Sequence, residues 1–157
     1  MLKQEITMDE LRKILIVEDE MISAYNLAEN LEELGYLVSD IVMRGEDVIS
    51  QVKSNPPDLI LMDIQLDGKM NGIEVTAAIQ EYDIPVIYLS GLRDNDTVEA
   101  AINTRPYGYL TKPIKFEDIK TTLALALSYE RSPSLSYNIT ASFSATRPPG
   151  EVPHFLL

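Results

Sequence analysis

"PDLILMD", residues 57–63, is the stretch on which the reading of this chain turns. Leu59 to Met62 is apolar without a break, as in a strand covered on both faces, yet the run stops on a carboxylate, Asp63. An aspartate is costly to bury unless something pairs with it, so a distant part of the chain has to meet Asp63. "KILIV" (13–17) and "PVIYL" (85–89) share the unbroken apolar character, and "YLVSDIV" (36–42) and "YGYLTK" (107–112) read as two further short strands.

Segments of helical period separate these runs. "MISAYNLAENLEELG" (21–35) sets Ile22, Tyr25, Leu27, Ala28, Leu31 and Leu34 on one stripe and ends on Gly35, a left-handed stop. "GEDVISQVKS" (45–54) is cut off by Asn55, Pro56 and Pro57, "GIEVTAAIQEY" (72–82) halts before Ile84-Pro85, "DNDTVEAAINT" (94–104) opens on capping residues, and a last helix begins near Phe116. Strict strand–helix alternation predicts an α/β fold, a doubly wound, five-stranded parallel sheet with helices on both faces, and the usual order for such a unit, 2-1-3-4-5 (flavodoxin-like), is the order expected. Residues 1–11 read as an N-terminal extension and 12–131 as one domain. Residues 132–157, rich in Ser, Thr and Pro, read as a flexible tail.

Composition bounds the function. With 13 Lys+Arg against 25 Asp+Glu, the formal net charge of -12 argues against direct nucleic-acid or anionic-membrane binding. The chain has no cysteine for a disulfide or a thiolate zinc site, no secretory leader and no membrane-length apolar run, which together predict a cytoplasmic protein. The lone His154, in the tail, reads as solvated.

In open parallel sheets, ligands collect beyond the carboxyl ends of the strands. Here the first strand runs into Glu18 and Asp19, the third into Asp63, the fourth into Ser90 and the fifth into Lys112. Any one of these could be a cap or a loop residue, and Glu20, Asp67 and Asp94 are read that way. With the first and third strands adjacent, Asp19 and Asp63 converge, and a hard divalent cation, Mg²⁺, relieves their repulsion. Magnesium with so few protein ligands leaves room for a phosphoryl group, which Lys112 and the Ser90 hydroxyl can contact.

"ILIVEDE", "PDLILMDIQL", "IPVIYLSG" and "YGYLTKP", in this order and spacing, resemble the receiver domain of two-component response regulators, over roughly Arg12 to Arg131. The resemblance implies that Asp63 accepts a phosphoryl group from a sensor histidine kinase. It implies Asp19 as a direct Mg²⁺ ligand, Glu18 acting mainly through water, and the backbone carbonyl of Gln65 as a further ligand. It also implies Ser90 and Lys112 on the phosphoryl oxygens, Tyr109 as a switch aromatic, and a cis Lys112–Pro113 peptide. The signal would leave through the surface of the fourth helix, fifth strand and fifth helix, to a downstream protein or a second copy. Met21 and Ile22 lie where the family meets its kinase.

The loop "QLDGKMNGIE" lacks the family's usual proline and is one residue longer, Glu18 stands for the commoner aspartate, and Lys115 replaces the usual hydroxyl cap before the last helix. Gln65 and Leu92 flank the path of an attacking water, which implies a long-lived phosphoryl group. A relay passing phosphate to a histidine phosphotransfer domain is the alternative role. A phosphatase of the haloacid dehalogenase type would need an aspartate where Gln65 stands, and an FMN protein a Ser/Thr/Gly loop where "EDE" stands.

Overall fold

The computed structural model describes residues 10–91 and 95–131. Five parallel strands form one sheet in the order β2-β1-β3-β4-β5. They are β1 (Lys13–Val17), β2 (Leu37–Val42), β3 (Leu59–Asp63), β4 (Val86–Ser90) and β5 (Gly108–Thr111). The connecting helices are α1 (Met21–Glu33), α2 (Gly45–Ser54), α3 (Gly72–Ala78), α4 (Asn95–Asn103) and α5 (Phe116–Arg131). The predicted fold class and strand order are those observed. The tail from residue 132, His154, Leu92 and Asp94 lie outside the described residues.

Side chains alternate across each strand, so the three central apolar runs feed two cores at once. Ile14, Ile16, Leu59, Leu61, Ile87 and Leu89 pack under α1 and α5. Leu15, Val17, Ile60, Met62, Val86 and Tyr88 pack under α2, α3 and α4. The Tyr88 hydroxyl and the Thr104 hydroxyl lie 2.6 Å apart, and burial pushes the Tyr88 phenol up despite that bond.

Two helix expectations need correction. In α1 the buried positions are Ala24, Leu27 and Leu31, while Ile22 is 73% and Tyr25 56% exposed. The helix is rotated so that small Ala24 faces the sheet and allows close approach, and two bulky apolar side chains are left outward. The expected helix over 72–82 stops at Ala78, and residues Gln80–Tyr82 tighten into a 3₁₀ turn closed by left-handed Asp83 (φ 54°). The end of α1 does follow the sequence signal. Gly35 (φ 92°) is followed by Tyr36, whose N–H reaches the Leu31 carbonyl at 3.0 Å, while the Gly35 N–H reaches that of Glu32, the double bond of a Schellman motif.

Gly72 opens α3 directly against β3: a Cβ there would overlap the Asp63 carbonyl oxygen. Gly72→Ala should therefore destabilise the protein by about 3 kcal/mol, the upper end of overpacking costs, as measured by urea denaturation. Tyr88→Phe, which removes the hydroxyl's bonds with Thr104 and Thr76, should cost about 1 to 2 kcal/mol in the same assay.

Candidate functional site

Every crossover returns the chain to the same end of the sheet, so the residues that follow the strands share one edge. There Glu18 and Asp19 leave β1, Asp63 ends β3, Ser90 ends β4 and Lys112 follows β5. β1 and β3 are neighbours, with Val17 opposite Met62. One carboxylate oxygen from each of Glu18, Asp19 and Asp63 lies within 4.8 Å of the other two. Glu18 is 1% and Asp63 3% exposed.

Lys112 compensates this buried charge. Its Nζ donates to Glu18 Oε2 at 2.8 Å and to Asp63 Oδ2 at 2.8 Å. The ammonium is itself partly desolvated, which favours the neutral form, but the bonds to Asp63 and Glu18 outweigh this and hold its pKa above the ordinary lysine value. Burial pushes the Glu18 carboxyl up, Lys112 pulls it back, and the neighbouring Asp63 raises it further.

Backbone N–H groups take most of the remaining carboxylate oxygens. Asp63 Oδ1 accepts from the Gln65 N–H at 3.0 Å, Glu18 Oε1 from the Glu20 N–H at 3.1 Å, and Asp19 Oδ2 from the Asp67 N–H at 2.9 Å. Asp67 thus contributes its backbone, a role its side-chain chemistry gives no hint of. The β3–α3 loop ends in a capping box, with Asn71 accepting from the Glu74 N–H and Glu74 from the Asn71 N–H.

These groups line an open cleft of about 950 Å³. Sequence reasoning placed Glu18, Asp19, Asp63, Gln65 and Lys112 at one edge, and all five line the cleft. It missed the opposite wall, Asn71 and Glu74 from α3 and Asp96, Thr97 and Ala100 from α4. The N-x-x-E spacing at 71–74 was the one available signal for that wall. Ser90 is buried at 1% exposure, outside the lining residues, and its carbonyl accepts from the Lys112 N–H at 2.9 Å. Tyr109 is half-buried, its ring edge-on to Tyr88 at 6.4 Å between centroids. The Lys112–Pro113 peptide is cis. Lys115 precedes α5, whose first turn carries Glu117 and Asp118 at its positive end.

The donor set is three carboxylates with no imidazole or thiolate among them, which suits a hard cation such as Mg²⁺ and not zinc or copper. A cationic group already sits between two of these carboxylates, as the charge of the cluster demands.

The response regulator receiver domain family matches residues 14–124. The transcriptional regulatory protein PdtaR of Mycobacterium tuberculosis is 31% identical over 118 residues, 74% of this chain and 57% of that protein. The positive alginate biosynthesis regulatory protein of Pseudomonas aeruginosa is 30% identical over 115 residues, 72% of this chain and 46% of that protein. The chain thus spans about half the length of these relatives. The solved signal receiver domain of a modulated diguanylate cyclase from Desulfovibrio desulfuricans G20 has a TM-score of 0.73 at 31% identity, over 77% of this chain and 97% of that one. The N-terminal domain of a response regulator/sensory box/GGDEF 3-domain protein from Carboxydothermus hydrogenoformans has 0.70 at 35% identity, over 76% and 97%. The family match takes in the carboxylates after β1, Asp63 and the lysine after β5, and this chain belongs to the response regulator receiver domain family.

Proposed function

We propose that Asp63 accepts a phosphoryl group from a phosphohistidine on a sensor histidine kinase, and that the modified domain signals by changing the surface of α4, β5 and α5. The observation that carries this reading is the 2.8 Å contact between Lys112 Nζ and Asp63 Oδ2 inside an acidic cleft open to a ligand. A carboxylate oxygen of Asp63 attacks phosphorus, the P–N bond to the donor imidazole breaks, and the imidazole leaves with the electron pair and takes up a proton. Bound Mg²⁺, held by Glu18, Asp19, Asp63 and the Gln65 carbonyl, would supply positive charge to the phosphoryl oxygens.

Phosphoryl transfer asks chiefly for alignment and charge stabilisation. The Gln65 N–H fixes the Asp63 carboxylate by holding Oδ1. Lys112, bonded to two carboxylates, can keep Glu18 while turning its remaining donors to the incoming phosphoryl group. Ser90, two strand positions from the β4 core residue Tyr88, offers a hydroxyl whose movement toward the phosphoryl group would open space for Tyr109. The output would be a shift between two arrangements of the α4–β5–α5 face, read by a downstream protein or a second copy. Among the described residues no helix is long and apolar enough to cross a membrane.

Incubation with acetyl phosphate and Mg²⁺ should add the mass of one phosphoryl group, and Asp63→Asn should abolish the gain. Equal labelling of the variant would overturn the assignment. Beryllofluoride with Mg²⁺ should change the sedimentation of the native chain and leave Asp63→Asn unaffected.

Lys112→Met leaves Glu18 and Asp63 facing each other without a cation. Because the lysine is partly exposed, the expected loss of stability is about 2 kcal/mol, below that for a fully buried pair. Adding Glu18→Gln to Lys112→Met should recover much of it, as a double-mutant cycle in urea would measure.

A further inference from the structure

Tyr88 puts a polar group where the sheet is covered on both faces. It sits in the middle of "VIYLS" (86–90), 0% exposed, and a phenol hydroxyl at such a depth opposes folding unless it is bonded. An aliphatic side chain would fill the space without fixing where its neighbours lie, whereas a buried hydrogen bond fixes its partner in distance and direction. We propose that the Tyr88 hydroxyl pins the C-terminal end of α4 to the sheet, so that α4 answers modification of Asp63 by pivoting about that end: its cleft end moves and Thr104 stays. The pivot rests on the phosphoacceptor reading; the pin does not.

Two threonines meet the hydroxyl. Thr104, the residue after α4, lies 2.6 Å from it. The Thr104 hydroxyl itself donates to the Ala101 carbonyl at 2.6 Å, which leaves the Tyr88 O–H to donate to Thr104. Thr76 of α3 also bonds the phenol; it is buried, and its own hydroxyl donates to the Gly72 carbonyl at 2.8 Å. The end of α4 is thereby tied to β4 and α3 at one point in the core. The backbone closes there as well. The Thr104 N–H bonds the Ala101 carbonyl at 3.1 Å, the Arg105 N–H bonds that of Ile102 at 2.9 Å, and Arg105 is left-handed (φ 55°).

The other end of α4 is built differently. Of the nine residues of the helix only Ala101, three before Thr104, is buried. Asn95, Asp96, Glu99 and Ala100 are exposed, and Asp96, Thr97 and Ala100 line the open cleft beside Asp63. Burial and the hydroxyl bonds thus gather at one end of the helix, and the ligand cleft lies at the other. Over a helix about 13 Å long, a rotation of about 15° about the pinned end carries the first turn about 3 Å. The Tyr88 ring also meets Tyr109 edge-on, with 61° between the ring planes. A ring held at its hydroxyl cannot swing aside, so it forms a fixed wall against which Tyr109 turns.

The test is double electron–electron resonance on the full chain, which has no native cysteine to compete for the labels. One nitroxide goes on Lys53→Cys in α2 and the other on Asn95→Cys or Asn103→Cys, all at exposed positions. Beryllofluoride with Mg²⁺ should shift the distance to the label at Asn95 by about 3 Å and leave the distance to the label at Asn103 within about 1 Å. Tyr88→Phe keeps the packed ring and Thr104→Val the branched shape, and each removes the bond from one side. In the free protein both variants should broaden the distance distribution at Asn103, and with beryllofluoride both should let that distance shift too. A role in stability alone would lower the melting temperature and leave unchanged which end moves. Equal shifts at the two ends of the native chain, or a distance at Asn103 as narrow and fixed in both variants as in the native protein, would overturn the proposal. So would no shift at either end in a sample whose Asp63 gains a phosphoryl group from acetyl phosphate. If Asp63 gains none, the phosphoacceptor reading fails, and the broadening in the free protein decides the pin by itself.

Discussion

The ammonium of Lys112 is the constraint around which the rest of this molecule is arranged. Glu18 and Asp63 are almost fully buried at the ends of neighbouring strands, and two such carboxylates without a counter-charge would oppose folding. Lys112 arrives from β5, two strands from β3, and bonds to both. The sheet must therefore hold β1, β3 and β5 in fixed relative positions for the charges to balance. The balance leaves Asp19 and the open side of Asp63 facing the cleft.

Backbone geometry does much of the remaining work. The N–H groups of Glu20, Gln65 and Asp67 each hold one carboxylate oxygen, so the loops after β1 and β3 are shaped by the acidic groups they carry. α3 starts tight against the end of β3 because Gly72 has no side chain, and its capping box fixes the loop's far end. A carboxylate held in this way is oriented before any ligand arrives, and preorganisation is what charge stabilisation in a transition state rewards.

Particular residues show how far the chemistry could be read in advance. The unbroken runs at 13–17, 59–62 and 86–89 identified central strands because polar residues are excluded from both faces there. Glu18, Asp19, Asp63 and Lys112 stood out because each follows such a run. The phase of α1 was not legible: Ile22 and Ala24 are both apolar, and only the sheet's demand for a small residue at the contact selects Ala24. Nor was the end of α3, since Ile79 is buried yet no longer helical and the turn that follows depends on packing under Tyr82 and Ile84.

The sequence by itself determined the fold class and the set of polar groups gathered at one sheet edge, because periodicity and strand termini are local properties and parallel winding brings like ends together; the strand order entered as the usual one for a five-strand unit and is the one observed. Tertiary structure decided which of those groups touch. It gave Lys112 to Glu18 as well as Asp63, enlisted the Asp67 backbone to hold Asp19, and added a wall from α3 and α4 to the cleft. Such contacts depend on distances of a few tenths of an ångström between segments far apart in the chain, which no local pattern encodes.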